Sequence, residues 1–183
     1  SFKIINKNPK CNIFIDMSKD ASKIMRKQII ECVLSTDMTF HPEQFTYLNL
    51  KKNNFNINKG DNSHKIVENL DSISLTRTKQ EFLNILIHAS DISNPTKPFE
   101  IYTQWADRVI AEFFAQGDKE KELGLPYSFL CNRETVTIPN SQIGFIDGIV
   151  YPFFDSLTNI FSGLEFLIDN IKKNKEEYKK LKN

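Results

Sequence analysis

Two short stretches hold the residues best suited to chemistry. In "ILIHASDISNPTKPFEIYTQW", residues 85–105, an apolar helical run carries His88 and, three residues on, Asp91. That spacing puts both on one helix face. An imidazole and a carboxylate suit zinc, magnesium or manganese. Ser93-Asn94-Pro95 then stops the run, leaving the acid in the last turn before a proline break. The pair alone is not a metal site, because a catalytic zinc takes three protein ligands and keeps one position open. A buried hydrogen bond and a helix end would use the same two residues. In "SQIGFIDGIV", Gln142 and Phe145 are likewise three apart and share a face. A glutamine amide can read the polar edge of a purine, and a phenyl ring on the same face can stack on the base. A core phenylalanine beside a solvated glutamine fits the spacing too. Tyr102, Trp105 and Phe113 suit a helix core as well as a pocket.

The elements that must position these residues follow a helical period. Ser18 reads as an N-cap, and the run after it places Ile24, Ile29, Val33 and Leu34 on one apolar side. Pro42 opens a shorter helix. The polar, Asn/Lys-rich stretch "NNFNINKGDNSH" reads as a loop. Helical pattern resumes near Thr76 and runs to about Ile92. The next helix starts after Pro98 and ends at Gly117, with Asp118 capping a short turn that Gly124 stops. After a loop holding Pro126 and Pro139, Asn140 or Ser141 caps a helix that Pro152 divides in two. The tail is a strongly charged helix end. Strand-period runs and hairpin turns are absent, so the expected fold class is all-α, in one domain. His41 and His64 fall in loop-like sequence. Glu120 and Glu122 sit in a charged turn and read as solvated.

Composition narrows the function classes. The chain has 183 residues, 40% hydrophobic and 26% charged, a globular composition. A net charge of +1 gives no electrostatic reason to expect nucleic acid or an anionic membrane. The three cysteines, Cys11, Cys32 and Cys131, form no CxxC pair and indicate neither a disulfide framework nor a zinc finger. No run approaches the ~20 apolar residues of a membrane span. There is no GxSxG elbow and no Gly-rich phosphate loop.

The order and wording of the motifs carry more than any of them singly. "CNIF…MSKDASKIMRKQIIECVLSTDM", "HASDISNPTKP", "WADRVIAEFFAQGDKEKELGLP" and "NRETVTIPNSQIGFIDGIVYPFF" together closely resemble the class I cyclic nucleotide phosphodiesterases. The resemblance implies that family's multi-helical, HD-domain-like catalytic fold. It implies hydrolysis of cAMP or cGMP to the 5′-monophosphate with two divalent metals, zinc and magnesium or manganese. It makes Asp91 a metal ligand and the catalytic residue of this stretch. Thr36 would reach metal-bound water, with Met38 beside it facing the site. Gln142 would read the purine. Phe145 and Val109 would clamp the base. Asn94, Tyr102, Trp105 and Phe113 would line the pocket, with Asn94 leaning toward cAMP. His88 matches a histidine that is structural in the family.

The same resemblance carries a departure. The family's domain is nearly twice as long, and its upstream half brings the metal-binding histidines, a bridging aspartate and the histidine acid. No His-Asp pair of that kind occurs here. The expectation is therefore a carboxyl-terminal part, residues 1–183, with the nucleotide pocket but little of the metal site. It should be inactive alone and expose an apolar face. A non-catalytic nucleotide-binding module and a helical interaction module are the alternatives. The expected setting is the cytoplasmic side, with a homodimer allowed and a membrane tether in the full-length protein. The Asn/Lys/Ile-rich stretch around 49–63 resembles proteins of AT-rich genomes such as malaria parasites.

Overall fold

The computed structural model describes residues 2–54 and 72–182, and every described element is helical. Helix α1 (Phe2–Lys7) is followed by a 3₁₀ turn at Pro9–Cys11, and α2 spans Lys19–Leu34. Ser18 caps α2 as expected, its hydroxyl accepting from the Ala21 amide at 3.2 Å. A 3₁₀ turn at Met38–Phe40 leads into α3 (His41–Asn54), with Pro42 in its first turn. Helix α4 runs Ser72–Asp91, and the proline break becomes a 3₁₀ turn at Asn94–Thr96. Helices α5 (Phe99–Glu122) and α6 (Ile138–Phe145) follow. A π-helical turn, Ile146–Val150, carries α6 into α7 (Tyr151–Thr158), and α8 spans Glu165–Leu181. The loop expected over 53–64 falls largely outside the described residues, as does His64.

The core is built from α3, α4, α5, α7 and α8. Leu48, Ile85, Tyr102, Phe153 and Ile171 are fully enclosed, each burial contributing roughly 1.5–3 kcal/mol. Aromatic edges knit the helices: Phe99 and Tyr102 of α5 each meet Tyr178 of α8 edge-on, at 5.3 Å between centroids.

Four local expectations are corrected. Gly117 does not end α5, which runs on to Glu122. Gly117 is buried within the helix because the Cys131 carbonyl lies where its side chain would be. The stop is Gly124, whose φ of +68° only glycine adopts without strain. Asp118 therefore caps nothing and instead pairs with Arg133. Asn140 and Ser141 lie inside α6, which starts at Ile138 with Thr137 before it and Pro139 in the first turn. Glu120 is not simply solvated; it accepts from the Ser128 amide at 2.8 Å and ties the following loop back to α5.

The apolar side expected of α2 exists but is not covered. Val33 and Leu34 are each 63% exposed, and α2 has no buried residue. Leu83, Leu86 and Ile87 of α4 are also exposed.

Candidate functional site

The site builds up around the break between α4 and α5. Asp91 is the last residue of α4 and is exposed. The turn after it is fixed from behind by α8. The Asn174 amide donates to the carbonyls of Pro95 (2.8 Å) and Lys97 (2.7 Å), and Asn170 donates to that of Thr96 (2.9 Å). Pro95 and Thr96 are buried and Asn94 half-buried, so the turn that positions Asn94 is a rigid part of the fold. Sequence reading missed both asparagines of α8. They stand four apart in a charged tail, and the signal was their place on the same line as Ile171 and Tyr178.

One turn before Asp91 on α4 stands His88. It is fully buried, and its Nε2 lies 2.9 Å from Nδ1 of His41, the first residue of α3. Phe153 packs against both rings. Burial holds both imidazoles below their ordinary pKa. The His41–His88 proximity adds to this at His41, while the Asp91 carboxylate and the Thr36 backbone partly offset it at His88. His41, expected in a loop, is thus buried structure.

The second cluster joins α5 to α6. Tyr102 is fully buried, and its hydroxyl donates to Oε1 of Gln142 at 2.7 Å. Gln142 is only 7% exposed, so it is not the solvated glutamine that its spacing also allowed. Burial, with Tyr178 nearby, drives the Tyr102 phenol well above its usual range, so it stays protonated. Trp105 lies along α5, 48% exposed, with Arg108 over its ring. Val109 and Phe113 follow at helical spacing and are half-buried. Phe145 lines a cavity of about 490 Å³ with Leu130, Val136 and Ser141. The structure brings Tyr102 and Gln142 into direct contact; Val109 and Phe145 reside on the two helices that pack together there.

The metal side is thinner. The Thr36 hydroxyl donates to the Val33 carbonyl at 2.8 Å, and Met38 is exposed on the next turn. Among the described residues no group of three or more His, Cys, Asp or Glu side chains could hold a metal ion. His88, one turn before Asp91, is turned inward onto His41. The described residues therefore do not by themselves fit the two-metal centre that the resemblance implies. Among them no helix is long and apolar enough to cross a membrane.

Comparisons with known proteins bear on this arrangement. The pattern of the family described as 3′5′-cyclic nucleotide phosphodiesterase matches residues 1–171. The probable 3′,5′-cyclic-AMP phosphodiesterase pde-4 of Caenorhabditis elegans is 37% identical over 179 residues, 97% of this chain and 25% of that protein. The dual specificity calcium/calmodulin-dependent 3′,5′-cyclic nucleotide phosphodiesterase 1B of Mus musculus is 40% identical over 149 residues, 81% of this chain and 24% of its own length. Among solved structures, LmjPDEB1 in complex with IBMX superposes with a TM-score of 0.81 and 27% identity, covering 98% of this chain and 50% of that one. The phosphodiesterase domain of the Salpingoeca rosetta rhodopsin phosphodiesterase gives 0.79 and 28%, covering 98% and 51%. The chain thus spans about a quarter of these curated relatives and about half of the solved chains. With the family's pattern along most of its length and the family's all-helical fold, the chain belongs to the class I 3′,5′-cyclic nucleotide phosphodiesterases.

Proposed function

We propose that this chain is the nucleotide-pocket part of a catalytic domain that hydrolyses cAMP or cGMP to the 5′-monophosphate. The observation that carries this reading is Gln142, buried in a chain of this family and joined to the fully buried Tyr102. A glutamine held so rigidly loses little entropy when it bonds a purine edge. Phe145 and Val109 are the two faces of the clamp on the base. Asn94, Tyr102, Trp105, Phe113 and Met38 line the pocket. The Tyr102 hydroxyl can donate or accept, so it supports either orientation of the Gln142 amide. Both nucleotides are therefore candidate substrates.

Asp91 supplies one carboxylate to the metals of the complete domain, and Thr36 approaches through water. The other ligands come from outside the described residues. The helices that carry them cover the exposed apolar residues of α2 and α4, since an uncovered face of that kind is the signature of an absent partner. The chain by itself then holds nucleotide without cleaving it, the one sense in which a binding-module reading applies.

The test is hydrolysis of cAMP and cGMP, with magnesium or manganese, by a chain extended to the full domain, beside an Asp91→Ala control. Activity in the first and none in the second is expected. Binding without turnover in the extended chain would leave the family fold and remove the activity. Metal-dependent turnover by residues 1–183 alone would overturn the assignment of the remaining ligands elsewhere.

A further inference from the structure

One cavity among the described residues is separate from the candidate nucleotide pocket. It holds about 610 Å³ between α2, α3 and α4, and none of the candidate nucleotide or metal residues lines it. Its size is that of a small-molecule site. Its inner wall carries Gln44, which is 6% exposed. The Nε2 of Gln44 donates to the Ser35 carbonyl at 2.7 Å, which fixes the amide. Its Oε1 is buried and has no hydrogen-bond partner among the described residues. A buried acceptor left without a donor costs about 1–3 kcal/mol, so the cavity is built around an acceptor that something else should satisfy.

Three carboxylates, Glu31, Glu43 and Glu81, and two cations, Lys51 and Arg77, line the cavity. The Gln44–Ser35 bond sets the junction of α2 and α3, and Glu43 lines the wall next to Gln44. Glu31 lies 3.6 Å from Lys27, so Glu43 is the carboxylate beside the buried acceptor. Gln44 and Lys51 are seven residues apart on α3, roughly 10 Å along a helix. Phe40 and Tyr47 form aromatic wall, with the Lys51 ammonium 5.3 Å from the Tyr47 centroid. A donor that meets Gln44 Oε1 stands next to Glu43 and about two turns of α3 away from Lys51, so a positive pole suits that end.

We propose that this cavity is a second ligand site for a small aromatic amine, whose ammonium donates to Gln44 Oε1 beside Glu43 while its ring packs on Phe40 and Tyr47. The site does not depend on the nucleotide reading. It abuts it, because Ser35 and Phe40 flank the stretch holding Thr36 and Met38.

The experiment titrates the chain with three congeners of one size: 2-phenylethylammonium, 2-phenylethanol and 3-phenylpropionate. The readouts are the side-chain amide resonance of Gln44 and the affinity. The ammonium should bind saturably, shift that resonance and bind more tightly than the other two. Glu43→Gln, at an exposed position that leaves the fold intact, should weaken it roughly threefold. Gln44→Met, checked for an unchanged fold by its melting curve, should weaken it more than about tenfold. No saturable binding of the ammonium, equal binding of the propionate, or full affinity in Glu43→Gln together with an unmoved Gln44 resonance would each overturn the proposal.

Discussion

Tyr102 and Gln142 are both buried and joined by one 2.7 Å hydrogen bond, whereas Asp91 stands exposed at a helix end and, among the described residues, belongs to no group of three or more ligands that could hold a metal ion. The two regions are linked by the turn at Asn94–Thr96, which α8 holds rigidly through Asn170 and Asn174. The side proposed to read the base is thus hydrogen-bonded within the described residues, and the side proposed to hold the metals is not complete among them. A pocket that recognises a flat apolar base can be made by neighbouring helices. A metal centre needs several charged ligands converging on one point, and the burial cost of those charges is met only when all are present.

The largest effect should separate these two sides by kinetics. In the full domain, Asp91→Ala should lower turnover by more than roughly a hundredfold, since even residues that only support metal ligands cost 10–100-fold. Gln142→Ala should act mainly on KM, by roughly tenfold or more, the worth of one or two hydrogen bonds. Steady-state kinetics on both variants decides. Equal losses in kcat would mean that the two sides are not separate.

The next effect is on stability and confined to the base side. In Gly117→Ala the new Cβ would come 1.9 Å from the Cys131 carbonyl oxygen, so α5 and the loop at Cys131 must move apart. Overpacking of this kind costs about 1–3 kcal/mol or more. Alanine's better helix propensity returns about 1 kcal/mol. A net loss of about 1–2 kcal/mol, about 2–8 °C in Tm for a chain of this size, is expected in thermal unfolding. A rise in Tm would mean that propensity wins and that the contact is not tight.

Gly117 also shows where sequence reading stops. Glycine after an amphipathic run is a sound stop signal, and only the distant Cys131 carbonyl gives this one another purpose. Ser18 was legible because a cap is local: its hydroxyl meets an amide three residues on. The apolar period of α2 was legible as a face, but periodicity says that a face is covered and not by what; Val33 and Leu34 are exposed because nothing in the described chain packs there. The roles proposed for Asp91, Asn94 and Gln142 rest on the order of the motifs. The supports of that site, His41, Asn170 and Asn174, had no motif, because each acts across more than 45 residues of sequence, as in the 47-residue separation of His41 and His88.

A smaller change tests the rigidity of the base side directly. Tyr102→Phe keeps the ring against Tyr178 but leaves Gln142 Oε1 buried without its donor. The expected loss is about 1–2 kcal/mol in urea unfolding. Replacing Gln142 by leucine in the same chain should recover part of it, because the orphaned acceptor is then gone. Additive losses from the two substitutions would show that the hydrogen bond does not couple them.

The smallest effect is a pH dependence on the inner face of α4, opposite in setting to Asp91 on the same helix. His41 and His88 are both held below their ordinary pKa, chiefly by burial. The unfolded chain therefore binds protons first as pH falls, starting near the free histidine value of about 6.5. The stabilisation is fully present above that pH and is lost as pH drops toward the lowered folded values. Between about pH 6.5 and 5 most free carboxylates remain ionised, so the histidines dominate the slope. The urea midpoint should be flat from pH 8 to 7 and fall below 6.5, by at most about 1.4 kcal/mol per pH unit for each histidine. His41→Asn removes one titrating ring and leaves His88 without its partner, so it should lower the midpoint at pH 7.5 and flatten the acid slope. A wild-type midpoint that holds steady or rises on acidification would mean that the pair is charged in the folded state, and that α3 and α4 are held together there by something other than two neutral rings.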